Sequence, residues 1–208
     1  MKNIFSFCIY GNDLKYYYGL QKNIDLISAH YPAFHIYVYA GKDHLVPWIE
    51  KMTGQSERVV VVRTCRDGAV NMLFRYMPIC DDDIDLLFVR DADSEINARD
   101  RWCIQQFLDS DMSVHTIRDH YWHKSRLTGG LTGFKLKSMP SLGALKDIMN
   151  TIAPLPQVAY GGDEDFLNSR IHPIVTGCLL IHTSINAFTG EEYQLIEHEN
   201  NNTNFVGN

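Results

Sequence analysis

Disulfide chemistry, basic surface and long apolar runs are all missing from this chain. Its five cysteines, Cys8, Cys65, Cys80, Cys103 and Cys178, are widely spaced and odd in number, with no C-x-x-C pair. Neither a zinc site nor a disulfide framework is indicated, and a reducing compartment is expected. Lys and Arg number 19 against 25 Asp and Glu, a formal net charge of −6. Binding nucleic acid through its phosphates needs a basic face, so no nucleic-acid partner is expected, and an anionic ligand must be met by local charge: a metal ion or a few arginines. The amino-terminal stretch holds only about seven apolar residues before Gly11-Asn12-Asp13, too few to span a bilayer, and it has no signal-peptide cleavage pattern. A cytosolic domain without a transmembrane segment is expected, and composition is equally compatible with a fragment of a longer protein. Three nucleotide and hydrolase signatures are also absent: G-x-x-x-x-G-K-[ST], a G-x-G-x-x-G after the first strand, and G-x-S-x-G.

What is present is an ordinary globular composition, 45% hydrophobic and 21% charged over 208 residues. One domain of that length buries roughly 70% of the surface its unfolded form exposes. Apolar, β-prone runs at 2–10, 33–40, 58–63 and 84–89 alternate with helical stretches at 14–29, 44–52 and 67–77. Asp13 is placed to cap the first helix, and Pro78 closes the third. The alternation predicts an α/β fold with a mainly parallel sheet and right-handed crossovers, which binds ligands beyond the carboxyl ends of its strands. Further on, a helix is predicted from 97 or 98 to 108, strands at 113–117 and 131–136, and a helix at 142–152. Then come a stiff Pro154-Leu155-Pro156 connector, a helix from 161 to 171, a last strand at 174–181, and a polar, Asn-rich tail from 191 that reads as a loop or partly ordered flap.

The fourth strand leaves the sheet in Arg90-Asp91-Ala92-Asp93. If the chain stays extended, Asp91 and Asp93 point the same way, about 7 Å apart at the Cα atoms, and their hard oxygens suit a divalent cation. Such acids equally cap a helix or face water. His182, at the exit of the apolar run LLIHTS, is the candidate third ligand or else a core histidine. Arg63, Arg66, Arg75 and Arg90 lie at or near the same edge and suit phosphate oxygens, though surface arginines are often without such a task. Gly129-Gly130, with Gly133, either bring the backbone close to a sugar ring or form a turn between strands. Tyr121-Trp122 offer rings for an acceptor sugar, or pack on the sheet.

Six pieces in order, FVRDADS, IRDHYWH, GGLTG, YGGDEDFL, LLIHTS and NFVGN, resemble a group of GT-A glycosyltransferases of bacteria and large DNA viruses. Within that group the resemblance is to the amino-terminal glycosyltransferase domain of chlorovirus multidomain glycosylation proteins. It implies a Rossmann-like, GT-A type single domain over 1–208, with a mixed, mainly parallel sheet. Its nucleotide half would cover about 1–95 and its sugar and acceptor half about 96–208. It implies a DxD motif, Mn2+ or Mg2+ as cofactor, a UDP-sugar donor, a glycan or glycoprotein acceptor, and a cytoplasmic setting, the host's if the source is viral.

Carried over position by position, it assigns Asp91, Asp93 and His182 to the metal. Tyr10, Gly11, Asn12, Arg66, Arg75 and Asp91 fall to the nucleotide. Arg90, Arg118, His120, Gly129 and Gly130 fall to the donor or acceptor sugar, and Asp163, Glu164 and Asp119 to catalysis. Two positions depart from the group's pattern: Glu164 stands for Gln, and Thr183 for the Asp that follows the histidine. The activity implied is hexosyl or deoxyhexosyl transfer with retention of configuration. Nucleotidyl transfer, sugar-nucleotide hydrolysis and a non-catalytic nucleotide-sugar-binding module also suit acids and arginines at a sheet edge.

Overall fold

The computed structural model describes residues 1–54, 56–152, 157–185, 187–196 and 205–207; the 154–156 connector and much of the tail lie outside these. The first half alternates as expected. Strand β1 (Lys2–Ile9) leads to helix α1 (Leu14–His30), which starts where Asp13 Oδ1 accepts the Lys15 N–H at 3.0 Å. Tyr17, Leu20, Ile24 and Ile27 recur at helical spacing and bury one face of α1 against Phe5 and Phe7 of β1 and Ile36 and Val38 of β2 (His35–Ala40). Burial of each such side chain contributes roughly 1.5–3 kcal/mol, an upper bound. Helix α2 (Val46–Thr53), with proline in its first turn, leads to β3 (Val59–Arg63), and β4 (Ile84–Arg90) completes the series.

The expected helix at 67–77 is a correction. A 3-10 turn (Gly68–Val70), one α-turn, α3 (Asn71–Phe74), and a second 3-10 turn (Met77–Cys80) replace it. The buried Asn71 amide donates to the carbonyls of Arg66 and Gly68 at 3.0 and 2.8 Å, a local alternative to helical bonding. This broken segment carries Arg75 inward.

In the second half Asn97 caps α4 (Ala98–Asp109) by accepting the Asp100 N–H at 3.0 Å. Strands β5 (Val114–Arg118) and β6 (Leu131–Lys135) follow, then α5 (Leu142–Met149), α6 (Gly162–Phe166), a π-type turn (Leu167–Ile171) and α7 (His172–Val175). The last predicted strand is also corrected: 174–178 are helical, and β7 spans only Leu179–Thr183. Leu167, Ile171 and Val175 are all buried in one cluster, so a four-residue spacing on a helical face overrides the β preference of Ile174 and Val175. The tail, read as a loop, contributes a short strand, β8 (Gln194–Leu195), paired with β7.

One eight-stranded sheet in the order β3-β2-β1-β4-β6-β5-β7-β8 crosses both halves. Its pairings are parallel except the two made by β6, so the α/β, mainly parallel mixed sheet is as expected. No described helix is long and apolar enough to cross a membrane.

Candidate functional site

Alternation along β4 sets up the site. Phe88 and Arg90 face α1 and α4, whereas Leu87 and Val89 face Leu73 and Tyr76 on the opposite side. Asp91 continues the second row and meets Arg75. The chain then turns, with Ser94 N–H donating to the Asp91 carbonyl at 3.2 Å, so the two acids do not lie along an extended strand. Asp93 instead pairs with Lys15 of α1 at 2.7 Å.

Helix α1 holds this turn from behind. Asn23 donates to the Ala92 and Ser94 carbonyls at 3.3 and 2.9 Å and accepts the Ile96 N–H at 3.0 Å. Gly19 lets the helix approach so closely that a Cβ there would lie 2.4 Å from the Ala92 carbonyl oxygen. Neither residue was singled out from the sequence. The one signal was a polar residue, Asn23, interrupting the buried stripe of Leu20, Ile24 and Ile27.

Two cavities meet at this turn. The first, about 240 Å³, lies at the carboxyl ends of β1 and β4 and is lined by Tyr10, Tyr16, Arg75, Asp91, Asp93 and Gly207, among others. Cys8 is at its floor, where burial pushes the thiol up to about 12, leaving it neutral and unreactive at pH 7. Burial also raises the Tyr10 hydroxyl above its ordinary value, so it stays protonated. The second, about 450 Å³, shares Met72, Arg75, Asp91 and Tyr160 with the first and adds Trp122, Gly129, Gly130, Asp163 and Glu164.

Arg75 is the join. It is 2% exposed, pairs with Asp91 and with Asp163 Oδ2 at 2.6 Å, and donates to the Arg90 carbonyl at 3.3 Å. Burial works against its charge, but Asp91 first and Asp163 with it more than offset that and hold its pKa well above the ordinary value. The glycine pair is explained by these carboxylates. A Cβ on Gly130 would lie 1.9 Å from Asp91 Oδ2, and one on Gly129 would lie 2.5 Å from Asp163 Oδ2. Glu164 accepts the Gly129 N–H at 3.1 Å on one oxygen and the Ser125 hydroxyl at 2.6 Å on the other. The replacement of Gln by Glu thus supplies a second acceptor, which an amide nitrogen is not.

Of the residues expected from the sequence, Tyr10, Arg75, Asp91, Asp93, Gly129, Gly130, Asp163 and Glu164 are brought together. The others are not. Gly11 (φ +68°) and Asn12 lie on the turn beyond β1, where the Gly11 carbonyl accepts from Tyr17 at 2.7 Å, and Arg66 is outside both cavities. Arg90, expected at the sugar, faces α4 and makes a buried bidentate pair with Asp100 at 2.8 and 2.7 Å. Arg118 is buried against Glu191 at 2.5 Å, and Asp119 is buried against Arg99. His120 stacks on Phe205 and meets the Tyr121 ring at a tilt.

His182 is the largest correction. It stands at the end of β7, three strands from β4, roughly 14 Å at the usual strand spacing. Its Nδ1 bonds His115 Nε2 at 2.8 Å, its ring meets Trp102, and its Nε2 sits beside Gln194 without a well-formed bond. Burial holds it down to about 4, a neutral imidazole at pH 7. Thr183, which stands where the group has Asp, donates to the Arg118 carbonyl at 2.9 Å, and the side-chain partner of His182 is His115. Among the described residues no three His, Cys, Asp or Glu are grouped to hold a metal.

No protein-family model and no curated protein sequence matches the chain. Solved structures do. A glycosyltransferase involved in the glycosylation of the major capsid of PBCV-1, a chlorovirus, is similar with a TM-score of 0.53 and 10% identity over 88% of this chain and 82% of that one. Galactosyltransferase LgtC, in complex with donor and acceptor sugar analogues, is similar at 0.53 and 12% over 87% and 73%. Mannosyltransferase PcManGT from Pyrobaculum calidifontis, in complex with GDP-Man and Mn2+, is similar at 0.55 and 12% over 84% of this chain but only 53% of its own. The class these likenesses define is one of fold: this is a GT-A type α/β domain.

Proposed function

We propose that this protein is a metal-dependent glycosyltransferase that moves a sugar from a UDP-sugar to a glycan or glycoprotein acceptor with retention of configuration. The observation that carries the reading is the charge of the paired cavities at the carboxyl edge of a GT-A sheet. Among the described residues, the cations paired with Asp91, Asp93, Asp163 and Glu164 there are Lys15, on Asp93, and Arg75, on Asp91 and Asp163. Carboxylates outnumber cations, so an anionic nucleoside diphosphate is repelled unless a divalent cation enters with it. Asp91 and Asp93 are hard oxygen donors lining one cavity, and the Asp91 side chain is 43% exposed, so these two fit Mn2+ or Mg2+, while His182 does not. Held there, the cation would supply Lewis-acid stabilisation of the diphosphate leaving group.

The chain's own groups would do the rest. Tyr10 and Tyr16 offer rings to the base. Arg75 holds the Asp163 carboxylate toward the second cavity, where Asp163 would support positive charge developing at the anomeric carbon. As the glycosidic bond to the donor phosphate breaks and the bond to the acceptor oxygen forms, the acceptor proton passes to the released phosphate. Glu164, fixed by Gly129 and Ser125, would orient the transferred sugar.

Trp122, 67% exposed, and Tyr160, 84% exposed, both line the second cavity, and rings so placed suit the apolar face of a sugar. This favours transfer to a carbohydrate over hydrolysis of the same donor. Trp122→Ala should reduce acceptor-stimulated UDP release roughly two- to tenfold, the worth of one ring contact, while acceptor-free release stays unchanged. Equal loss of both activities would rule out an acceptor role for the ring.

The donor class is tested by thermal shift with UDP, GDP and their sugar conjugates, with and without Mn2+. UDP compounds with Mn2+ should raise the midpoint, by about 2.7 kcal/mol of stabilisation at a hundredfold excess over Kd. A rise with GDP alone would reassign the base, and no rise with any nucleotide would remove the donor site.

A further inference from the structure

Asp119 reaches neither cavity, yet its buried carboxylate is one of the most heavily bonded groups in the fold. Its Oδ2 accepts from Arg99 Nε at 2.7 Å and from the Val206 N–H at 2.9 Å. Its Oδ1 accepts from Arg99 Nη2 and from Ser184 Oγ, both at 2.5 Å. These donors come from α4, from the turn after β7 and from the segment 205–207, which are remote in sequence. An ionised carboxylate has room for about four such bonds, so this one is fully used and has none left for a substrate.

Val206 binds by its side chain as well as its backbone. It is completely buried with Cys103, Ile117, Leu131 and Ile196. Before it, Phe205 stacks on His120 at 4.1 Å with 24° between the rings, and its carbonyl accepts from Asn97 Nδ2 at 2.9 Å. After it, Gly207 (φ +94°) lies in the lining of the first cavity together with Asp91 and Asp93. A Cβ on Gly207 would come within 3.2 Å of Leu131 and 3.3 Å of the His123 ring, so even a methyl group would shift this wall.

We propose that Asp119, with Arg99, is a positioning residue that latches the segment 205–207 across the carboxyl edge of the sheet so that Gly207 forms one wall of the nucleotide cavity. His120 then serves as the ring on which Phe205 rests. This rests on the reading of that cavity as the donor site. It gives Asp119 a task away from the reacting sugar.

Val206→Pro removes the N–H from the latch, replaces the buried valine side chain with a smaller ring, and leaves both members of the Asp119–Arg99 pair in place. With Mn2+ present, titration calorimetry of this variant should show UDP binding weakened on the order of tenfold, the worth of one charge-assisted hydrogen bond. Ser184→Ala, which removes a different bond to the same carboxylate, should leave the Kd within about twofold. Gly207→Ala keeps every donor and acceptor of the latch but strains the backbone at φ +94° and shifts the wall, and should weaken UDP similarly; it serves also if Val206→Pro does not fold. In the wild type, hydrogen exchange at the Val206 amide should be slow. A merely structural role for Asp119 predicts lowered melting temperature with nucleotide affinity intact. Unchanged UDP affinity in folded Val206→Pro or in Gly207→Ala overturns the proposal, as does fast exchange at Val206. A wild type that binds neither UDP nor GDP with Mn2+ overturns the donor-site reading, and the wall with it.

Discussion

Arg75→Met is expected to cost about 3–5 kcal/mol of folding stability and to abolish nucleotide-dependent activity. Methionine keeps much of the length and apolar bulk of the side chain, so the loss reports charge and hydrogen bonds rather than a cavity. Arg75 is 2% exposed and Asp163 only 3%, so removing the guanidinium strands a carboxylate in the interior. Such a group escapes the desolvation cost by taking up a proton. A folded state that binds a proton the unfolded state releases is favoured at low pH, so the deficit of the variant should shrink as pH falls and grow as pH rises. Urea unfolding at pH 5 and pH 7 measures this directly. Adding Asp163→Asn should recover part of the loss at pH 7, because the stranded charge is gone. A single variant within about 1 kcal/mol of wild type at pH 7 would mean that the Asp91–Arg75–Asp163 bridge does not organise the site.

That bridge also shows how far the sequence could be read. The Asp13 cap, the helical stretch at 14–29 and the apolar run at 84–89 are local patterns, and each reappears in the structure as an element of the expected type. The insertion of antiparallel β6 between β4 and β5 is a long-range pairing that no local pattern encodes. Arginines were legible only as a group. Arg75 and Arg90 look alike in the sequence, but the pleat of β4 turns Arg90 toward Asp100, while the break at Asn71 carries Arg75 to Asp91. Arg99 and Asp119 lie 20 residues apart and become partners only when α4 packs on the sheet. A carboxylate or guanidinium at a strand exit thus suits a ligand and a buried ion pair equally well, and folding decides between them. His182 ended apart from Asp91 and Asp93 for the same reason: its position at a strand exit was legible, but its distance across the sheet was invisible.

Asp93→Ala is expected to lower Mn2+-dependent UDP release on the order of 100-fold or more, the cost of removing a group that acts on developing charge. Stability should hardly change, because among the described residues Asp93 pairs with Lys15, whose side chain is 66% exposed, and surface pairs contribute about 0–1 kcal/mol. This contrast separates Asp93 from Arg75, whose loss should damage folding and activity together. The expected readout is a normal melting curve without ligand, no added stabilisation by UDP and Mn2+, and UDP release near background. Full activity in the variant would sink the metal reading. Lys15→Met is the control for the ion pair, since it removes the same salt bridge and leaves the carboxylate. If Asp93 acts by holding a cation, Lys15→Met keeps its activity and binds Mn2+ at least as well, one competing positive charge having been removed. If both variants lose activity alike, the salt bridge to α1 matters, and Asp93 serves to fix the turn after β4 in place.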